Sequence, residues 1–108
     1  MPRIAKRLAG PAQVSNAAAT KYTVPASTKT IIRHIHIQNP SGAAVTFTCS
    51  IGADAAGTRL MDALSIGANS IFDHFCYYVL DAAEIFQALA GTNNVLVLTI
   101  NGDESVLG

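Results

Sequence analysis

His34-Ile35-His36 is the sharpest chemical feature of this 108-residue chain. In an extended segment, side chains two apart project to the same side, so both imidazoles could grip one metal ion. His74 is the third histidine and could join them. The plainer reading puts His34 and His36 on the polar face of an amphipathic strand. Cys49 shares parity with Val45, Phe47 and Ile51, which reads as a buried free thiol, and Cys76 also falls in a strand-like stretch. No Gly-x-Ser-x-Gly nucleophile elbow, Gly-x-Gly-x-x-Gly loop or Gly-x-x-x-x-Gly-Lys loop occurs. The expectation is a non-enzymatic protein without a cofactor, with His34, His36 and His74 as the only candidates for a metal.

The segments that would carry these residues repeat with period two rather than 3.6. Thr30 to Gln38 is rich in β-branched residues. Simple alternation puts Ile31, Ile35 and Ile37 on one face, with His34, His36 and Gln38 on the other. Asn39-Pro40-Ser41-Gly42 signals a turn. Val45, Phe47, Cys49 and Ile51 then alternate with Thr46, Thr48 and Ser50, as in a strand with one face in water. Further strands are expected at 21–25, 59–66, 71–80, 84–89 and 95–100, the third of these apolar on both faces. The stretches 59–64 and 84–89 could instead be helical turns. About seven or eight short strands at roughly 8–12 residue spacing predict an all-β fold. The expected form is an antiparallel β-sandwich of jelly-roll or Greek-key type.

Residues 1–20 are small, basic and interrupted by Gly10 and Pro11, which reads as an extended arm preceding a sandwich over 21–108. Arg3, Ile4, Lys6, Arg7, Leu8 and Val14 are then candidates for docking on a neighbouring subunit. No apolar stretch follows the first cations to complete a signal peptide. The longest apolar run, Phe75–Leu80, falls far short of the ~20 residues that span a bilayer. A reduced, cytosolic product with no membrane partner is the expectation.

Half of the residues are hydrophobic and 13% are charged, which excludes a disordered chain. Two cysteines exclude a disulfide-dense secreted scaffold. The net charge is zero, yet residues 1–53 hold six cations and no acid, against one cation and seven acids in 54–108. Either strands from the two halves interleave and the charges mix, or the subunit is dipolar and meets its neighbours end to end. The modest cation count, without interleaved aromatics in the first segment, weighs against a nucleic-acid partner.

Three stretches together resemble small β-sandwich structural proteins of tailed bacteriophages. They are Tyr22-Thr23-Val24-Pro25-Ala26 with Thr28 through Ile31-Ile32, then Ile35-His36-Ile37-Gln38-Asn39-Pro40-Ser41, and last Val95–Ile100 with Asn101-Gly102-Asp103-Glu104. The similarity runs over about residues 15–104, and its motifs belong to the fold rather than to catalysis. Asp81-Ala82-Ala83-Glu84 departs from the Gly-Asp turn common there. The resemblance implies a virion component: a capsid decoration (cement) protein bound to the major capsid protein, as a homo-trimer, or a neck, tail or fibre-base accessory. It implies assembly in the cytoplasm of a host bacterium. Faces such as Thr46/Thr48/Ser50 and Phe72/Tyr78 would suit permanent subunit contacts. A remoter similarity is to cupins, jelly rolls that use a His-x-His, a Glu four or five residues on and a later His. Here Ile37 to Ser41 supply no acid, and His74 would be the later His.

Overall fold

The computed structural model describes residues 3–106, and the Arg3 side chain lies outside the described part. Eight strands follow one another: β1 (Arg3–Gln13), β2 (Ala19–Thr23), β3 (Thr28–Asn39), β4 (Val45–Ile51), β5 (Arg59–Ile66), β6 (Ser70–Leu80), β7 (Ile85–Ala90) and β8 (Val97–Val106). They form two four-stranded sheets, ordered β1-β8-β3-β6 and β2-β7-β4-β5. The antiparallel pairs β1·β8, β2·β7, β3·β6 and β4·β5 are nested, as if one long hairpin had been rolled up. Pairs β3·β8 and β4·β7 close the roll. This winding is the eight-stranded jelly roll.

The core is the space between the sheets. Ile32, Ile35 and Ile37 of β3 and Leu98 and Ile100 of β8 face Phe47 and Cys49 of β4 and Phe86 and Ala88 of β7, all of them buried. Burying each large aliphatic side chain contributes about 1.5–3 kcal/mol. Asn39 is a buried polar hub. Its Nδ2 donates to the carbonyls of Ala43, Ile66 and Gly67, at 2.8, 3.0 and 3.2 Å. Its Oδ1 accepts from the Ser41 amide and hydroxyl, so the β3–β4 and β5–β6 turns are tied together.

Several sequence expectations need correction. Residues 3–13 are not an arm but strand β1, hydrogen-bonded along β8, and Val14 is fully buried in the core. Proline and scattered cations mimic an arm because an edge strand tolerates both. In β3 a bulge at Arg33 shifts the parity: Ile32 and His34 are two positions apart, but their β8 partners Gly102 and Asn101 are adjacent. Ile32, not Ile31, therefore joins Ile35 and Ile37 in the core. Thr48 and Ser50 are buried rather than wet. The Thr48 hydroxyl accepts from the Ala63 amide at 2.9 Å, where the β4·β5 register shifts. Segments 59–66 and 85–90 are strands as expected, not the alternative helical turns, whereas β8 runs on through Asn101-Gly102-Asp103 to Val106 instead of closing there.

The charge asymmetry resolves by interleaving. Lys6 pairs with Glu104, Lys29 with Asp81, and Arg33 with Asp103, joining cations of the first half to acids of the second. This follows from topology, because β1 and β3 both lie against β8 and β3 also lies against β6.

Candidate functional site

The outer face of the β1-β8-β3-β6 sheet carries both features that could do work. Past the Arg33 bulge, His34 and His36 project outward from β3, and the register sets Asp73 of β6 directly across from His36. His34 Nε2 donates to Asp73 Oδ1 at 2.8 Å, and His36 Nδ1 donates to the same oxygen at 2.5 Å. All three side chains are part-exposed. The hydrogen bond from His36, then that from His34, holds the Asp73 carboxyl below the usual carboxylate range.

Neighbours fix the His34 ring. Phe75 stacks on it at 4.6 Å between centroids with planes 11° apart. Asn101 Nδ2 donates to His34 Nδ1 at 3.2 Å, which matches a neutral imidazole carrying its proton on Nε2. The three donors of His34, His36 and Asp73 lie within 4.8 Å of one another and could hold a cation. His74 does not join them. As the residue after Asp73 it points to the other face, where its Nε2 meets the Tyr78 hydroxyl at 3.0 Å. The carboxylate sought just after His36 thus comes from a strand 37 residues further on. The apolar period of β6 held no cue to that register.

Strand β6 also presents an apolar row. Ile71, Phe75, Tyr77 and Val79 alternate outward with exposures of 60, 76, 61 and 45%. Asp73 sits in the middle of the row. Arg33 lies over the Tyr77 ring, 5.3 Å from its centroid. Phe72 and Tyr78, expected at a contact face, instead point inward and pack against the core. Because β6 is the sheet's outer strand, its free edge and its apolar face are exposed together.

The candidate docking residues of the N-terminal segment separate by face. Val14 is in the core and Leu8 packs against it, so neither is free to dock. Ile4, Lys6 and Arg7 are exposed, and Lys6 is already paired with Glu104 at 3.1 Å. Both cysteines are free thiols. Burial pushes the Cys49 thiol up to about 12 and raises that of Cys76. No pocket opens among the described residues.

No protein-family model matches the chain, and no curated protein matches it. Solved structures share its fold. The tobacco streak virus coat protein aligns over 100% of this chain and 89% of its own, with a TM-score of 0.56 and 11% identity. A chain of the Bacillus endospore appendages, which are disulfide-linked pili, aligns over 98% and 89%, with a TM-score of 0.56 and 11% identity. A chain of infectious bursal disease virus, Gx strain, aligns over 99% of this chain with a TM-score of 0.51 and 10% identity. The present chain spans only 32% of that one. At these identities the likeness is one of fold: an eight-stranded antiparallel sandwich shared with a viral coat protein and a pilus protein.

Proposed function

We propose that the chain is a non-enzymatic virion structural protein, and more narrowly a capsid decoration (cement) protein of a tailed bacteriophage. In this reading it binds the major capsid protein of the assembled head, associates as a homo-trimer, and is assembled in the cytoplasm of the host bacterium. The observation that carries the reading is the outward row Ile71, Phe75, Tyr77 and Val79 on edge strand β6. Such a row on a free sheet edge invites pairing or packing unless something covers it. The jelly roll it belongs to recurs in viral shells, and the coat-protein likeness is consistent with that use.

A neck, tail or fibre-base accessory is the second reading within the virion, resting on the same exposed row. A disulfide-linked fibre subunit would need an outward thiol. Cys49 is buried and Cys76 faces inward from β6 with its Sγ toward the Ile32 carbonyl, which opposes that use.

The test is co-sedimentation of the purified chain with phage heads lacking it, using Phe75→Lys and Tyr77→Lys as probes. The expected result is saturable binding that raises the heads' resistance to heat, lost in both variants while their melting temperatures stay unchanged. A chain that neither self-associates nor binds heads overturns the reading. Copy number per particle separates the two virion sites, because decoration follows the capsid lattice whereas a neck or tail part does not.

A further inference from the structure

We propose that His34, His36 and Asp73 form a binding site for a divalent transition metal, with Zn²⁺ the ion that its donors suit best. Two imidazoles and one carboxylate are borderline donors, matched to Zn²⁺ and its neighbours rather than to Mg²⁺ or Ca²⁺, which favour all-oxygen shells. Three protein ligands with solvent at the fourth position is a common arrangement for an open zinc site.

The geometry is close to what an ion needs. At metal–ligand distances of about 2.0–2.2 Å, tetrahedral ligands stand roughly 3.3–3.5 Å apart. Both histidine nitrogens already lie at 2.5–2.8 Å from Asp73 Oδ1. Each nitrogen moves less than about 1 Å away from Asp73 Oδ1. The three donors, now within 4.8 Å of one another, settle to that spacing around the ion, each displaced proton passing to the other nitrogen of its ring. Side-chain rotations on the solvent side suffice, since all three residues are part-exposed.

The surroundings supply orientation as well as ligands. A metal on His34 Nε2 moves the ring's proton to Nδ1, and that proton needs an acceptor. Asn101 lies 3.2 Å away, and its amide, turned over, offers Oδ1. Phe75, stacked on the imidazole, holds the ring plane. His36 and Asp73 are cross-strand partners on β3 and β6, so the backbone ladder sets their separation. The site lies within the β6 row, and its open position therefore faces whatever covers that row. The proposal does not depend on the virion reading, because it concerns the isolated chain.

The test titrates Zn²⁺ into the full, metal-stripped chain by calorimetry, with Co²⁺ absorption reporting the ligand set. The expected result is one ion per chain, with affinity falling tenfold or more in both His36→Ala and Asp73→Asn. His74→Ala should bind as the unmodified chain does, and thermal melts without metal check that every variant is folded. Zn²⁺ should raise the melting temperature of the unmodified chain but not of Asp73→Asn. Absence of saturable binding, or binding that survives both His36→Ala and Asp73→Asn, overturns the proposal.

Discussion

Tyr22 of β2 donates its phenol proton to Glu104 of β8, so a side chain of one sheet is tied directly to a side chain of the other. The same phenol oxygen accepts from the Thr30 hydroxyl at 2.8 Å, and Lys6 donates to the other carboxylate oxygen of Glu104 at 3.1 Å. Strands β1, β2, β3 and β8 thus meet in one polar cluster at the margin of the apolar core. Tyr22→Phe keeps the ring's packing but leaves Thr30 and Glu104 each short of a partner. The expected cost is about 1–2 kcal/mol, the price of orphaning partly buried polar groups. Urea unfolding should show a lower midpoint with an unchanged slope.

The same cluster gives the fold a pH dependence at both ends. Tyr22's hydrogen bond, ahead of that from Lys6, holds the Glu104 carboxyl below its ordinary 4.5. A depressed folded-state pKa contributes stability that is present above the ordinary value and is lost as pH falls through the folded one. Burial, then the Glu104 hydrogen bond, pushes Tyr22 up to about 12 from 10. That contribution is complete below pH 10 and is lost as pH rises toward 12. Unfolding midpoints measured across acid pH should fall less steeply for Glu104→Gln than for the unmodified chain. Equal slopes would separate the carboxylate from the acid response.

Removing residues 1–13 tests the fold rather than a detachable arm. The deletion strips β1 from β8, leaves the inner strand β8 as a new edge, and removes Leu8 from its packing against the core. We expect the truncated chain to lose cooperative thermal unfolding or to aggregate through the uncovered β8. A truncated chain that melts at the original temperature would show that β1 adds nothing to the sandwich.

The two thiols should differ in reactivity under native conditions. Thiolate is the reactive form, and burial holds Cys49 at about 12. Cys76 is raised less and is only half-buried. Iodoacetamide followed by peptide mass mapping should find Cys76 modified first, with Cys49 reacting only as the chain unfolds. Similar rates at both sites would contradict the burial of Cys49.

What the sequence made legible follows from period two. Strands β2 to β8 are foreseen in it, β3 and β4 most plainly because half-buried strands alternate, and the turn at Asn39-Pro40-Ser41-Gly42 marks itself by residue type. The inward row of β3 could not be read correctly, because one bulge at Arg33 exchanges Ile31 for Ile32 without any change in composition. Strand β1 looked unstructured because Gly10, Pro11 and its cations also suit an exposed edge. Of the candidate metal residues, His34 and His36 were plain from their spacing. Asp73 was not, since its place opposite His36 is set by the pairing of β3 with β6, which no local pattern encodes. Its neighbour His74 was the natural choice by residue type and the excluded one by parity.

The Arg33 bulge leaves a mark on β8 that can be tested directly. Gly102, paired with Ile32, faces inward where a Cβ would stand 2.0 Å from the Ile31 carbonyl oxygen and 3.0 Å from Leu8 Cδ1. The first contact is with backbone, so relief needs the β3 and β8 strands to part at the bulge. Gly102→Ala should therefore destabilise by roughly 1–3 kcal/mol, in the range of overpacking rather than of lost burial. Leu8→Ala in the same chain relieves only the side-chain contact and should not restore the midpoint. If Gly102→Ala unfolds at the original denaturant concentration, the strands have room there and the bulge is not held by close backbone approach.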